Sequence, residues 1–167
     1  MPEHRIRGKV WILGDNVDTD QIIPARYLVT AEPEKLAPHF MENTIPGLAS
    51  SISRGDIIVA GRNFGCGSSR EHAVRAIQGC GVSLVIAKSF ARIFFRNSIN
   101  LGLPVIEADI SVVEGAEVSV DMEKGTIAHG PETTKFEKYP EFLKKIVDSG
   151  SIINYAKEEL LRQQSQS

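Results

Sequence analysis

The residues best suited to chemistry form one run, Gly61-Arg62-Asn63-Phe64-Gly65-Cys66-Gly67-Ser68-Ser69-Arg70-Glu71-His72-Ala73. Its three glycines let the backbone turn sharply and come close to a ligand. Two hydroxyls and a guanidinium follow at once. A turn that feeds a helix start gathers backbone N–H donors around one point, which suits an anion. Arg70 adds a planar cation that matches a carboxylate or phosphate. Three readings compete. Ser68-Ser69-Arg70-Glu71 fits the capping box S-x-x-E, in which Ser68 only closes the helix start. The turn binds an anion. Or a serine takes part in catalysis, although the nearest histidine, His72, sits further along the helix. Spacing alone leaves all three open.

Familiar glycine motifs fail at a required residue. A P-loop needs lysine after its last glycine, where Ser68 stands. A dinucleotide fingerprint needs glycine where Arg70 stands, and a nucleophile elbow needs glycine where Glu71 stands. A second polar run, Asp15-Asn16-Val17-Asp18-Thr19-Asp20, has the acids of a calcium loop. The EF-hand pattern counted from Asp15 would require glycine at Asp20 and glutamate at Arg26, so the run reads as an Asx-rich turn. The two cysteines, Cys66 and Cys80, lack C-x-x-C spacing and are too few for an iron–sulfur cluster. Metal chemistry at this chain would have to come from another one, and no metal ligand is assigned here.

The elements that must position these residues follow from periodicity. Val10 to Leu13 reads as a buried strand, and Asp56 to Ala60 as another that feeds the glycine turn. Ala73, Ala76, Ile77 and Cys80 lie at i, i+3, i+4, i+7, the inner face of a helix that ends at Gly79 and Gly81. Val82 to Ala87 is a third strand, Phe90 to Leu101 a second helix stopped by Gly102, and Val105-Ile106 a fourth strand. Strand, helix, strand, helix, strand is the pattern of parallel crossover units. Pro33 to Phe40 reads as a weak helix and Asn43 to Ser53 as loop. From Val112 to Ile127 the pattern alternates around Gly115 and Gly125, which predicts short antiparallel strands. Tyr139 to Val147 and Ile152 to Leu161 are closing helices, and the tail from Gln163 frays.

The chain has 167 residues, 42 % hydrophobic and 24 % charged, which describes an ordinary globular domain. The net charge of −2 gives no reason to expect nucleic acid or an anionic membrane as partner. The start, Met1 to Arg5, leads into a strand pattern without an apolar signal segment, and no run is long enough to span a bilayer. One cytoplasmic domain over residues 1–167 is the expectation.

Three motifs together carry a resemblance: Asp18-Thr19-Asp20-Gln21-Ile22-Ile23-Pro24, the run from Gly61 to Ala73, and Ser89-Phe90-Ala91-Arg92-Ile93-Phe94-Phe95-Arg96-Asn97. In this order they closely resemble the small subunits of 3-isopropylmalate dehydratase, and so the swivelling domain of the aconitase superfamily. The similarity covers almost the whole chain. It implies a three-layer β/β/α fold with mostly parallel central strands and additional short antiparallel ones. It also implies a large partner subunit that carries a [4Fe-4S] cluster, whose iron acts on the substrate hydroxyl. On this resemblance Ser68 is the base, Arg70 holds a substrate carboxylate, Ser69 assists, Gly67 lies against the substrate, and Asp20 is an active-site aspartate. Cys66 is a small spacer rather than a ligand.

The segment Leu28-Val29-Thr30 matches the position where homoaconitase-type relatives carry an arginine for an extra carboxylate. Val29 cannot pair with a carboxylate, but with Leu28 it can line a pocket for a branched alkyl group. That favours interconversion of 2-isopropylmalate and 3-isopropylmalate in leucine biosynthesis. Thr30 departs from the Tyr-Leu-Val-Tyr form, which leaves citramalate or dimethylmalate as alternatives. A free-standing dicarboxylate-binding module is the reading from a different class.

Overall fold

The computed structural model describes residues 5–166. Expectations for residues 1–4 and for Ser167 therefore lie outside the described residues. The strands join one seven-stranded sheet: β1 Arg5–Ile12, β2 Ile57–Ala60, β3 Leu84–Ala87, β4 Val105–Glu107, β5 Glu117–Asp121, β6 Thr126–His129 and β7 Glu132–Lys135, in the order β4-β3-β2-β1-β5-β6-β7. The helices are α1 Thr19–Ile22, α2 Pro33–Leu36, α3 Leu48–Ser51, α4 Glu71–Gly79, α5 Arg92–Leu101, α6 Glu141–Asp148 and α7 Ile152–Ser165.

β1 is the pivot of the sheet. Its first half pairs antiparallel with β5, from Arg5 opposite Asp121 to Lys9 opposite Glu117. Its last residues pair parallel with β2, from Val10 opposite Ile57 to Ile12 opposite Val59. β2, β3 and β4 continue the parallel half. The burial patterns match this division. Every residue of β2 and β3 is buried, as parallel strands covered on both faces require, whereas β5 alternates. One face of the parallel half, with Ile57, Val59, Leu84 and Ile86, packs on Val118, Val120 and Ile127 of the antiparallel half. The other face, with Ile58, Val85 and Ala87, packs under Ile22, Leu36, Phe40, Ile77, Phe94 and Ile99 from the helices. The result is the expected β/β/α layering.

Differences from the sequence reading have local causes. β1 begins earlier than Val10 because its polar N-terminal half faces solvent on alternate residues, a weaker signal than a buried run. The expected loop after Asn43 contains α3. β7 has the sequence Glu-Thr-Thr-Lys, with no apolar periodicity to reveal it; its register with β6 creates it. α7 continues to Ser165, so the tail expected to fray is helical as far as that residue, with Ser151 accepting from the Asn154 N–H at its start.

Candidate functional site

The loops that leave the carboxyl ends of β1, β2 and β3 converge. In open parallel sheets this end, outside the strand termini, is where ligands bind. The first loop carries Asp15 to Asp20, the second Gly61 to Arg70, and the third Ser89 to Arg92. Backbone hydrogen bonds continue the sheet through them. The Gly65 N–H donates to the Val17 carbonyl at 2.7 Å and the Thr19 N–H to the Cys66 carbonyl at 2.8 Å. On the other side the Phe64 N–H donates to the Ser89 carbonyl at 3.0 Å, and the Ala91 N–H returns to the Phe64 carbonyl at 2.9 Å. The glycine turn is thus clamped between its neighbours.

Two glycines make the clamp possible. Gly65 has φ +82°, and a Cβ there would sit 2.2 Å from Cγ of Phe94. Gly67 has φ +94°, and a Cβ there would lie 3.4 Å from the Thr19 hydroxyl. The first glycine lets the turn pack onto the Phe94 ring. The second turns the chain so that Ser68 faces outward, and the Thr19 hydroxyl donates to the Ser68 carbonyl at 2.9 Å.

This geometry corrects the capping reading. α4 starts at Glu71 with Arg70 as its N-cap residue, in extended conformation at φ −134°, and no side chain caps it. Ser68 lies two residues before the cap, held out of the helix by the Gly67 turn and the Thr19 bond. Glu71 reaches forward to Arg75 at 3.8 Å instead of back to a cap. The helix start therefore does not act on the Ser68 hydroxyl through a capping contact. A capping box does exist, in the first loop: Asp18 accepts from the Gln21 N–H, and the Gln21 side chain accepts from the Asp18 N–H. The Asx-rich turn is thus the start of α1.

Thr19, Gly65, Gly67, Ser68, Ser69, Arg70, Ala91, Arg92, Ile93, Phe94 and Asn97 enclose a cleft of about 350 Å³. Ser68 and Ser69 are exposed in it. Arg70 is more sheltered and pairs through Nη1 with Asp20 Oδ1 at 3.2 Å. The structure thus brings together Gly67, Ser68, Ser69, Arg70 and, through Arg70, Asp20. It does not bring in Leu28, Val29 and Thr30: none lines the cleft, and Val29 is 91 % exposed just after a short helical turn, Ala25–Tyr27. That turn is anchored by Glu42, whose carboxylate accepts from Arg26 and Tyr27 and bonds to His39 Nδ1 at 2.8 Å. The Tyr27 hydroxyl, then His39, hold the Glu42 carboxyl below its ordinary value.

Sequence reasoning gave no role to Thr19, Arg92 or Asn97, although the third motif contains the last two. The signal is topological: Thr19 and Arg92 begin the helices after β1 and β3, as Glu71 does after β2, and Asn97 lies further along α5. Cys66 stands at the back of the turn, where burial, and then the charge of Asp18, push its thiol up. It is therefore a poor nucleophile. Among the described residues no three His, Cys, Asp or Glu side chains gather where they could hold a metal ion.

An exposed serine beside a guanidinium can position a carboxylate. It can act as a base only where water is kept away and donors surround the alkoxide. In this cleft both serines stand open to solvent.

Comparison with known proteins agrees with the geometry. The aconitase C-terminal domain family matches residues 41–109. The 3-isopropylmalate dehydratase small subunit of Aquifex aeolicus is 55 % identical, over 93 % of this chain and 96 % of its own length. That of Sulfurimonas denitrificans is 50 % identical, over 96 % and 98 %. The isopropylmalate/citramalate isomerase small subunit of Methanocaldococcus jannaschii is 49 % identical, over 95 % and 98 %. The crystal structure of 3-isopropylmalate dehydratase from the same archaeon superposes with a TM-score of 0.93 at 44 % identity, over 98 % of this chain and 99 % of that one.

Proposed function

The chain belongs to the 3-isopropylmalate dehydratase small-subunit family of the aconitase superfamily, and from that premise we propose that Ser68, Ser69 and Arg70 are one half of an active site which a large subunit completes. The chain is the small subunit of a hydro-lyase that interconverts 2-isopropylmalate and 3-isopropylmalate by dehydration and rehydration in leucine biosynthesis.

Each residue's part follows from its place. Arg70 takes a substrate carboxylate with its planar fork, and Asp20 orients the guanidinium from the opposite side. Ser68 removes the proton from the carbon next to the one that loses its hydroxyl, and returns it when water adds in the reversed sense. Ser69, beside it on the same wall, donates a hydrogen bond to the substrate. Leu28, Val29 and Thr30 face the alkyl group once the partner brings the two surfaces together. The Lewis acid that assists hydroxide departure, a [4Fe-4S] cluster in this superfamily, belongs to the large subunit. This chain's thiols do not fit it as ligands, since Cys66 lies behind the turn and Cys80 hydrogen-bonds the Ala37 carbonyl. The assembly is cytoplasmic on this reading; no helix among the described residues is long and apolar enough to cross a membrane.

The observation that carries the proposal is the convergence of Ser68, Ser69 and Arg70 on one cleft that is too open to activate a serine by itself. The test is reconstitution. The purified chain should show no hydro-lyase activity on 2-isopropylmalate and gain it when mixed with a cluster-bearing large subunit. Turnover by the chain alone would refute the division of labour. Parallel assays on citramalate and homoaconitate decide the substrate.

A further inference from the structure

We infer that Glu42 is a positioning residue for substrate choice: its carboxylate ties down the turn Ala25–Tyr27 and so sets where the segment Leu28-Val29-Thr30 stands. The inference rests on the reading above that this segment faces the alkyl group, and adds to it the residue that holds the segment.

Three side chains converge on the one carboxylate. The Tyr27 hydroxyl donates to Oε1 at 2.6 Å, the Arg26 guanidinium donates to the same oxygen, and His39 Nδ1 lies 2.8 Å from Oε2. The rings of Tyr27 and His39 stack at 3.6 Å with 9° between their planes, and the Arg26 guanidinium lies 4.8 Å from the Tyr27 ring centroid. Arg26 and Tyr27 are the last two residues of the turn. Leu28 follows directly, its N–H donating to the Ala25 carbonyl at 3.1 Å. A shift of the turn therefore carries the segment with it. Val29 is 91 % exposed, so the body of the protein does not fix its side chain; the turn before it does.

The acid's own backbone is fastened too. Met41, the residue before Glu42, is buried and takes φ +55°, a left-handed conformation uncommon outside glycine. Such a conformation persists where the surroundings determine it. Here the Met41 N–H donates to the Ile22 carbonyl at 3.0 Å, and the Met41 carbonyl accepts from the Thr44 and Ile45 N–H groups at 3.1 and 2.8 Å. Ile22 is the last residue of α1, the helix that carries Asp20. Glu42 is thus presented to the turn from a backbone tied to the same helix that reaches the cleft. An exposed pair of Arg26 with an acid would contribute little by itself. Three partners on an acid with a fixed backbone make the turn one piece with α1, so the segment and the cleft keep one spacing. Discrimination by apolar contact needs a wall held in place by its supporting residues.

The test uses the reconstituted two-subunit enzyme. The value of kcat/KM on 2-isopropylmalate is divided by that on citramalate for wild type, Glu42→Ala, Glu42→Gln, Tyr27→Phe and Tyr139→Phe. This ratio cancels any loss of folded or assembled enzyme, so destabilisation alone leaves it unchanged. Tyr139→Phe is the control, because it removes a hydroxyl that bonds Val105 instead. We expect the ratio to fall about 10-fold in Glu42→Ala, the low end of what one methylene carries in a hydrophobic pocket. The fall should come through KM on 2-isopropylmalate, with kcat little changed. Glu42→Gln and Tyr27→Phe, which each keep part of the contact, should lie between, and Tyr139→Phe should keep the wild-type ratio. Val29→Arg is measured beside them. A substrate profile that shifts in Val29→Arg while Glu42→Ala and Tyr27→Phe keep the wild-type ratio would overturn this inference alone. A profile unchanged in Val29→Arg would remove the segment from the site and this inference with it.

Discussion

Replacing Gly65 by alanine should unfold the clamp that builds the site, and the size of the effect can be worked out. At φ +82° an L-residue costs about 1–2 kcal/mol more than glycine. The new Cβ would lie 2.2 Å from Cγ and 2.4 Å from Cβ of Phe94, so ring or turn must shift. Overpacking of this kind costs about 1–3 kcal/mol. The sum, about 2–5 kcal/mol, is a large share of the ~5–15 kcal/mol that holds a domain folded. For a chain of this size it lowers Tm by roughly 5–20 °C. Gly67→Ala makes a sharp comparison. Its φ is similar, but its Cβ would meet only ordinary contact at 3.4 Å from the Thr19 hydroxyl, so only the backbone cost of about 1–2 kcal/mol applies. Thermal unfolding followed by circular dichroism, with urea titration for the free energies, should place Gly65→Ala well below Gly67→Ala. Equal destabilisation by the two alanines would refute the packing argument.

Three further outcomes follow from other contacts. Tyr139 closes the open edge of β4: its hydroxyl accepts from the Val105 N–H at 2.8 Å and donates to the Val105 carbonyl, so Tyr139→Phe should destabilise by roughly 1–3 kcal/mol for each backbone group it strands, read by urea titration. The Glu42 carboxyl is held below its ordinary value of 4.5 by the Tyr27 hydroxyl and His39, so its contribution is present above about pH 4.5 and disappears as pH falls through its lower folded-state value. Glu42→Gln should therefore be less stable than wild type at neutral pH, with the gap closing in acid, and a pH-independent gap in Tm would contradict this. Val29→Arg should move substrate preference of the reconstituted enzyme toward a tricarboxylate if the segment Leu28-Val29-Thr30 reads the side chain; an unchanged profile would remove that segment from the site.

Much of the fold was legible because buried parallel strands are unbroken apolar runs. Ile57 to Ala60 and Leu84 to Ala87 announce themselves, and Gly102, at φ +84°, stops α5 where its type predicts. β7 was not legible, because Glu132 to Lys135 acquire strand structure only from their register with β6. The site was legible in its residue types and not in its local geometry. The pattern S-x-x-E at Ser68 satisfies the rule for a capping box, yet the Gly67 turn and the Thr19 hydroxyl hold Ser68 outside the helix. Tertiary contacts decided between two local solutions. That Arg92 lines the cleft was not legible, because nothing in its own segment brings it to the glycine turn. Only the sheet order, which lays the loops after β2 and β3 side by side, does so.

The most direct measurement is turnover by the reconstituted enzyme carrying Ser68→Ala. Ser68 is exposed and its hydroxyl caps no helix, so the substitution should leave Tm and association with the large subunit unchanged. Loss of the base should lower kcat by about 10²–10⁴-fold, the usual contribution of a positioned proton-transfer group, with little change in KM because Arg70 still holds the substrate. A Ser68→Ala enzyme that assembles normally and turns over within a few-fold of wild type would contradict the account.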